Sequence, residues 1–171
     1  MQKFIKLSTT TILVIMFSSV TCTVFAGEPE LHHHTANHDQ EQGGHWDAAL
    51  KLNHGKPWAT DTALRQGMSR IRDAVQSATP AFKKGKLSRA RAKVLAKSIE
   101  TNVNFMLTNC KLEPMADASL HVILVQLLSA ANEIKSDPQT KNGMPRMHEV
   151  LGKYPLYFDQ PGWKAVEPEV H

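Results

Sequence analysis

The feature that most constrains the fold is the spacing of apolar residues, which recur every three or four positions in four separate stretches of the chain. This spacing places the apolar side chains along one face of an α-helix, and that face must be buried against a neighbour. Four amphipathic helices with short connections predict an all-α fold, an up-down-up-down four-helix bundle over residues 58–155. The four apolar stripes are Leu64, Met68, Ile71, Val75 and Ala78; Leu95, Ile99, Val103, Met106 and Cys110; Leu120, Leu124, Leu127, Ala131 and Ile134; and Met147, Val150, Leu151 and Tyr154.

Capping residues and prolines mark where each predicted helix begins and ends. Short polar side chains are typical of the residue before a helix, and proline is tolerated in the first turn but not in the interior. The predicted boundaries are a cap at Thr60 or Asp61 and an end at Thr79-Pro80 for the first helix, a cap at Ser88 for the second, a start at Pro114 for the third, and a span from Pro145 to Pro155 for the fourth.

The first 26 residues have the three-part pattern of a secretory signal. A short cationic start precedes an apolar run from Thr11 to Val24, and Val24-Phe25-Ala26 forms a cleavage site. The run is too short to remain as a membrane span, so we expect no stable membrane insertion after cleavage. The residues before Cys22 lack the character of a lipoprotein site, so cleavage after Ala26 is preferred. The sequence therefore predicts an exported, periplasmic mature chain of residues 27–171.

Charge and cysteine content narrow the function classes. The chain has 20 Lys and Arg against 16 Asp and Glu, and loss of Lys3 and Lys6 with the leader lowers the net charge from +4 to +2. So small a charge argues against a nucleic-acid binder. Only Cys110 remains in the mature chain, so no internal disulfide can form. Its thiol is expected to be buried, paired between chains in a homodimer, or used as a ligand.

The two ends of the mature chain lack a sustained helical period. Residues 27–57 are polar and predict a flexible, disordered His-rich arm, with room for a short helix around Trp46–Leu52. Solvated imidazoles bind divalent metal with little preorganisation, so the arm is predicted to collect Cu(II) or Zn(II) weakly. Residues 156–171 are predicted to form an irregular tail. The arm histidines are His32, His33, His34, His38, His45 and His54.

Antiparallel helix order predicts a site at one end of the bundle. The start of the first helix, the end of the second and the start of the third would meet there, bringing together Met68, Met106 and His121, with Cys110 and Met115 nearer the open end. Thioether, thiolate and imidazole are the ligands that soft Cu(I) prefers. The alternative is structural: methionine fills irregular cores, and a cysteine on an apolar face is commonly a small buried hydrophobe.

Residues 60–155, by length, leader and helix pattern, resemble the exported four-helix cytochromes, cytochrome c-prime and its non-covalent b-type relatives. The resemblance implies a haem held by a methionine early in the first helix and a histidine in the last, here Met68 and His148. The covalent motif Cys-Xaa-Xaa-Cys-His is absent, which excludes a c-type haem. Two segments, Trp58 to Met68 and Cys110 to His121, also look like parts of small uncharacterised exported bacterial proteins, which implies no activity.

Three functions follow from these observations. The first is a periplasmic transition-metal-binding protein, with copper as the metal, for buffering, sequestration or delivery. The second is a b-type haem electron carrier, and the third is a metal-free helical adaptor or stress protein. The chain has no Gly-Xaa-Ser-Xaa-Gly, no phosphate-binding glycine loop and no His-Glu-Xaa-Xaa-His, so an enzyme is not indicated.

Overall fold

Four helices account for most of the computed structural model, which describes residues 46–166. This confirms the all-α prediction. Two strands of two residues each form a parallel pair, in which Trp58 lies opposite Phe158 and Ala59 lies opposite Asp159. The elements are a 3-10 turn at Trp46–Ala49, β1 at Trp58–Ala59, α1 at Thr62–Lys83, α2 at Arg89–Asn109, α3 at Pro114–Ser136, α4 at Gly143–Tyr157 and β2 at Phe158–Asp159.

The predicted starts of α1 and α2 are confirmed by their capping contacts, whereas α4 starts at Gly143, two residues before the predicted Pro145. Asp61 caps α1, where its Oδ1 accepts a hydrogen bond from the Leu64 N–H at 2.7 Å. Ser88 caps α2, where its Oγ accepts from the Arg91 N–H at 3.3 Å. Each bond satisfies one of the N–H groups that a helix start leaves without an internal partner.

Two predicted helix ends are wrong, because proline lies inside the helix in both cases. α1 continues through Pro80 to Lys83, and α4 continues through Pro155 to Tyr157. A proline inside a helix removes one backbone hydrogen bond. Apolar side chains beyond each proline pack against the core, Ala81 and Phe82 in α1 and Tyr157 in α4, and this packing offsets the loss.

The predicted apolar stripes form the core. Every residue of the four stripes is buried except Cys110, which is half-buried because it lies at the C-cap of α2 rather than inside the helix. Each helix contacts the next one along the chain, and α1 also contacts α4. By length and composition α3 is apolar enough to cross a membrane, but a core helix of a soluble protein meets the same criterion, and the buried side of α3 lies in this core.

The predicted arm boundary at residue 57 is wrong, because the chain packs onto the helices from Trp46 onward. Leu50 is buried, and the Lys51 N–H donates to Ser119 Oγ in α3 at 3.2 Å. The Trp58 indole N–H in turn donates to the Lys51 carbonyl at 2.7 Å. Residues 27–45, with five of the arm histidines, lie outside the described residues, as does the leader. His54 is exposed in a turn with φ of 49°.

The predicted irregular tail also needs correction, because residues 156 and 157 complete α4 and the segment from Phe158 to Val166 packs against α1 and α4. Phe158 is buried and stacks on Tyr154, with ring centroids 5.4 Å apart. The side-chain amide of Gln160 then reaches α1 near its start, the Trp163 ring lies 5.2 Å from the Arg72 guanidinium, and Val166 is buried further along. Residues 167–171 lie outside the described residues.

Candidate functional site

The start of α1 and the end of α2 meet, as the predicted site requires. One carboxylate makes the link: Asp61 caps α1 through Oδ1, and its Oδ2 accepts the backbone N–H of Lys111 at 2.6 Å. A cavity of about 270 Å³ opens beside this link, lined in part by Trp58, Asp61 and Glu113. We refer to this region as the Cys110 end. The sequence predicts Asp61 only as a possible cap of α1. It does not show that the same carboxylate also binds the Lys111 N–H after α2.

Cys110 lies at this end as the C-cap of α2, where its N–H donates to the Met106 carbonyl at 2.9 Å. Burial raises the pKa of the Cys110 thiol to about 12, and the Asp61 carboxylate adds to the rise by repelling a thiolate and by accepting a hydrogen bond from the thiol. Asp117 contributes a smaller repulsion. The thiol is therefore protonated at neutral pH, and a metal that uses its sulfur must displace the proton.

Met106 lies one helical turn before Cys110 and is fully buried. Its side chain presses against the backbone of α1: a Cβ atom placed on Gly67 would lie 2.3 Å from Met106 Cγ and 2.5 Å from Sδ. Met68, also fully buried, follows Gly67 directly in α1. Met68, Met106 and Cys110 therefore lie in neighbouring turns of α1 and α2, and a metal site shared by their sulfur atoms stays a prediction.

Met115 and His121 do not share this environment. Both are on the exposed side of α3, with 53% of the Met115 residue and 53% of the His121 side chain accessible to solvent. His121 Nδ1 lies 2.9 Å from the Asp117 carbonyl of its own helix. A solvent-facing imidazole cannot reach thioethers enclosed in the core. The five predicted ligands therefore divide into the buried Met68 and Met106 with the half-buried Cys110, which we call the sulfur set, and the exposed pair Met115 and His121.

Residues 46–166 contain no group of three or more His, Cys, Asp or Glu side chains placed to share a metal ion. The predicted site differs from such a group because two of its three buried or half-buried ligands are methionine sulfurs, which bind soft metals.

The predicted haem pair is separated by the fold. His148 Nε2 lies 2.8 Å from Thr79 Oγ1, so His148 is level with Thr79 in α1. Thr79 follows Met68 by three helical turns, a rise of about 16 Å. The two axial ligands of a haem bind opposite sides of one iron, so Met68 and His148 cannot hold the same haem here. Helix order already indicated this separation, because His148 lies near the start of the fourth helix, which an antiparallel bundle places at the opposite end from the start of the first.

A buried polar network borders the sulfur set and was missed by sequence reasoning. The Tyr154 hydroxyl donates to Gln160 Oε1 at 2.8 Å, and Gln160 Nε2 donates to Ser69 Oγ at 2.9 Å. Burial raises the pKa of the Tyr154 phenol, and the neighbouring Cys110 raises it further. Gln160 follows the last predicted helix in a segment without any period, so no sequence pattern pointed to it.

Comparisons with protein families, with curated proteins and with solved structures found no match to this chain. The function is therefore inferred from the side chains of the site itself.

Proposed function

We propose that this chain is an exported periplasmic protein that binds copper as Cu(I), for buffering, sequestration or delivery, through Met68, Met106 and Cys110. One observation carries the proposal: the Met106 thioether lies against α1 at Gly67, beside Met68, and one turn from Cys110. The three sulfur-bearing residues thus come from neighbouring turns of α1 and α2. Met115 and His121, which face solvent, are left out of the proposed site.

The chemistry of the three side chains favours Cu(I) over other metals. Thioethers and thiolates are soft ligands, and Mg²⁺, Ca²⁺ and Mn²⁺ prefer oxygen. Loss of the Cys110 proton on binding gives one negative charge to match the single positive charge of Cu(I), so the bound site has no net charge to bury. The Asp61 carboxylate beside the thiol favours the approach of a cation.

We also propose the helix directions, the role of the His-rich arm and the role of the leader. The four helices are proposed to run up-down-up-down, which is supported by the contacts between consecutive helices and by the bond from Lys111 to Asp61. The His-rich arm is proposed to collect Cu(II) or Zn(II) outside the helices, and the leader is proposed to direct export.

Competition with a Cu(I) chelator at fixed pH tests the site. The parent for every titration carries alanine at His32, His33, His34, His38 and His45, so that the arm does not compete. Cys110→Ser should weaken the affinity by more than the roughly 10- to 100-fold that loss of an outer-shell partner costs, because it removes the only anionic ligand. Met106→Leu keeps the side-chain volume and should weaken the affinity less.

Two matched controls keep the test specific. Met144→Leu makes the same change at another fully buried methionine, near Thr79 at the far end of α1, and should leave the affinity unchanged. His121→Ala should also leave it unchanged. Equal Cu(I) affinity in the parent, Cys110→Ser and Met106→Leu would contradict the proposed site.

The complete burial of Met68 and Met106 favours a second candidate, the metal-free helical adaptor or stress protein. In that account both thioethers only fill the core. It predicts no competition with the chelator in any variant, while Met106→Leu would still leave the protein folded.

A further inference from the structure

A second cavity lies at the opposite end of α1 from Asp61, where the last turns of α1 meet the first turns of α4. It has a volume of about 350 Å³, within the range of small-molecule pockets. Val166, from the segment after β2, closes one side. We refer to this region as the His148 end. Its other lining residues are Gln76, Thr79, Pro80, Lys83, Lys84 and His148.

Both charged side chains that line this cavity within residues 46–166 are positive. They are Lys83 and Lys84, and none of the described lining residues is an aspartate or a glutamate. α4 begins at this end, so the partial positive charge of its N-terminus lies nearby, and its first turn contains no acidic residue. The opposing partial negative charge at the end of α1 is reduced because the Phe82 carbonyl accepts the Gly85 N–H at 2.8 Å.

The inner wall combines a fixed polar group with apolar surface. Thr79 Oγ1 donates to the Val75 carbonyl at 2.8 Å, which commits its only proton. His148 Nε2 lies 2.8 Å from the same Oγ1 atom, and this contact orients the imidazole ring at the cavity. Pro80 and Val166 supply apolar surface beside it. A ligand that fits has an anionic group for the lysines and an apolar body for this wall.

We infer that the cavity at the His148 end binds a small organic carboxylate with an apolar body. The anionic group would lie by Lys83 and Lys84, and the apolar body would lie against Pro80 and Val166. This site is separate from the proposed Cu(I) site and needs no metal.

Titration of the full mature chain with benzoate tests the inference, because benzoate combines a carboxylate with an apolar ring of suitable size. Binding is followed by calorimetry and by the NMR resonances of the His148 ring. We expect saturable binding that shifts these resonances. The double variant Lys83→Gln/Lys84→Gln should weaken it by about two- to tenfold, the range expected for two exposed charge interactions.

Two controls decide between a site and general attraction of anions. Lys93→Gln/Lys97→Gln makes the same change in net charge on the exposed side of α2 and should leave benzoate affinity unchanged. Benzyl alcohol, which has the ring without the charge, should bind more weakly than benzoate. The inference is overturned if the two double variants behave alike, if benzyl alcohol binds as tightly as benzoate, or if the His148 resonances do not move.

Discussion

The two ends of α1 differ in what covers them and in the charge they present. At the Cys110 end, the segment before α1 and the segment after α4 both pack over the core. Leu50 is buried in the first and Phe158 in the second. At the His148 end an open cavity reaches Thr79, and lysines line it. The first end carries a carboxylate beside a thiol, whereas the second carries two ammonium groups beside an imidazole.

Part of this difference follows from the helix itself. A carboxylate at the start of a helix and a lysine in its last turn both complement the helix dipole, and Asp61 and Lys83 occupy those positions in α1. Charge alone therefore does not define a function at either end. What distinguishes the ends is the sulfur set of Met68, Met106 and Cys110 at one, and at the other a cavity whose charged described lining residues are both lysines.

The largest expected effect concerns the segment that covers the Cys110 end. Phe158→Ala should lower the free energy of unfolding by about 3–5 kcal/mol, because it removes a fully buried ring that stacks on Tyr154. Leu156→Ala, two residues earlier and 63% exposed, should change it by less than about 0.5 kcal/mol. Denaturant unfolding measures both. Equal losses would mean that the segment after α4 does not close the core.

A smaller effect is expected where Met106 meets α1. Gly67→Ala should destabilise the protein by about 1–3 kcal/mol, because the new methyl group would overlap the Met106 side chain. Gly152→Ala, in α4 with open space around it, should instead stabilise by about 0.5–1 kcal/mol. In a Met106→Ala background, Gly67→Ala should cost less than it does in the parent, because the side chain that the methyl group overlaps is gone. A stabilising Gly67→Ala would mean that Met106 does not lie against α1.

The smallest effect is the pH dependence of stability from Cys110. Its pKa is raised from 9.0 to about 12 in the folded protein, so the folded state keeps a proton that the unfolded chain loses. The resulting stability is fully present below pH 9 and is lost as the pH rises towards 12. The stability difference between the parent and Cys110→Ser should therefore narrow over that range. If this difference in unfolding free energy did not change with pH, the pKa of the Cys110 thiol would not be raised by folding.

The sequence predicted the features of the fold that repeat along the chain. Periodic apolar residues located the core, and the caps at Asp61 and Ser88 located two helix starts, because both signals are local. The packing of the segments that begin at Trp46 and at Phe158 was missed because single contacts hold them, such as the bond from Lys51 to Ser119. A single contact leaves no repeating pattern in the sequence.

The positions of the candidate ligands along the helices could be predicted, but the helix faces on which they lie could not. Helix direction and rise set the level of Met68 and Met106, and both can be counted along the chain. The face of a helix depends on rotation, and one residue turns it by about 100°. Leu120 is buried while His121, the next residue, is exposed, so the predicted level alone could not bring His121 into the core.

X-ray absorption at the copper edge tests the central claim most directly. The parent with the five arm histidines replaced is loaded with one equivalent of Cu(I), and the ligand shell is compared with that of Cys110→Ser. The proposed site predicts a shell of sulfur alone in the parent and a shell that loses sulfur in the variant. A shell of nitrogen or oxygen, or the same shell in both proteins, would contradict a Cu(I) site formed by Met68, Met106 and Cys110.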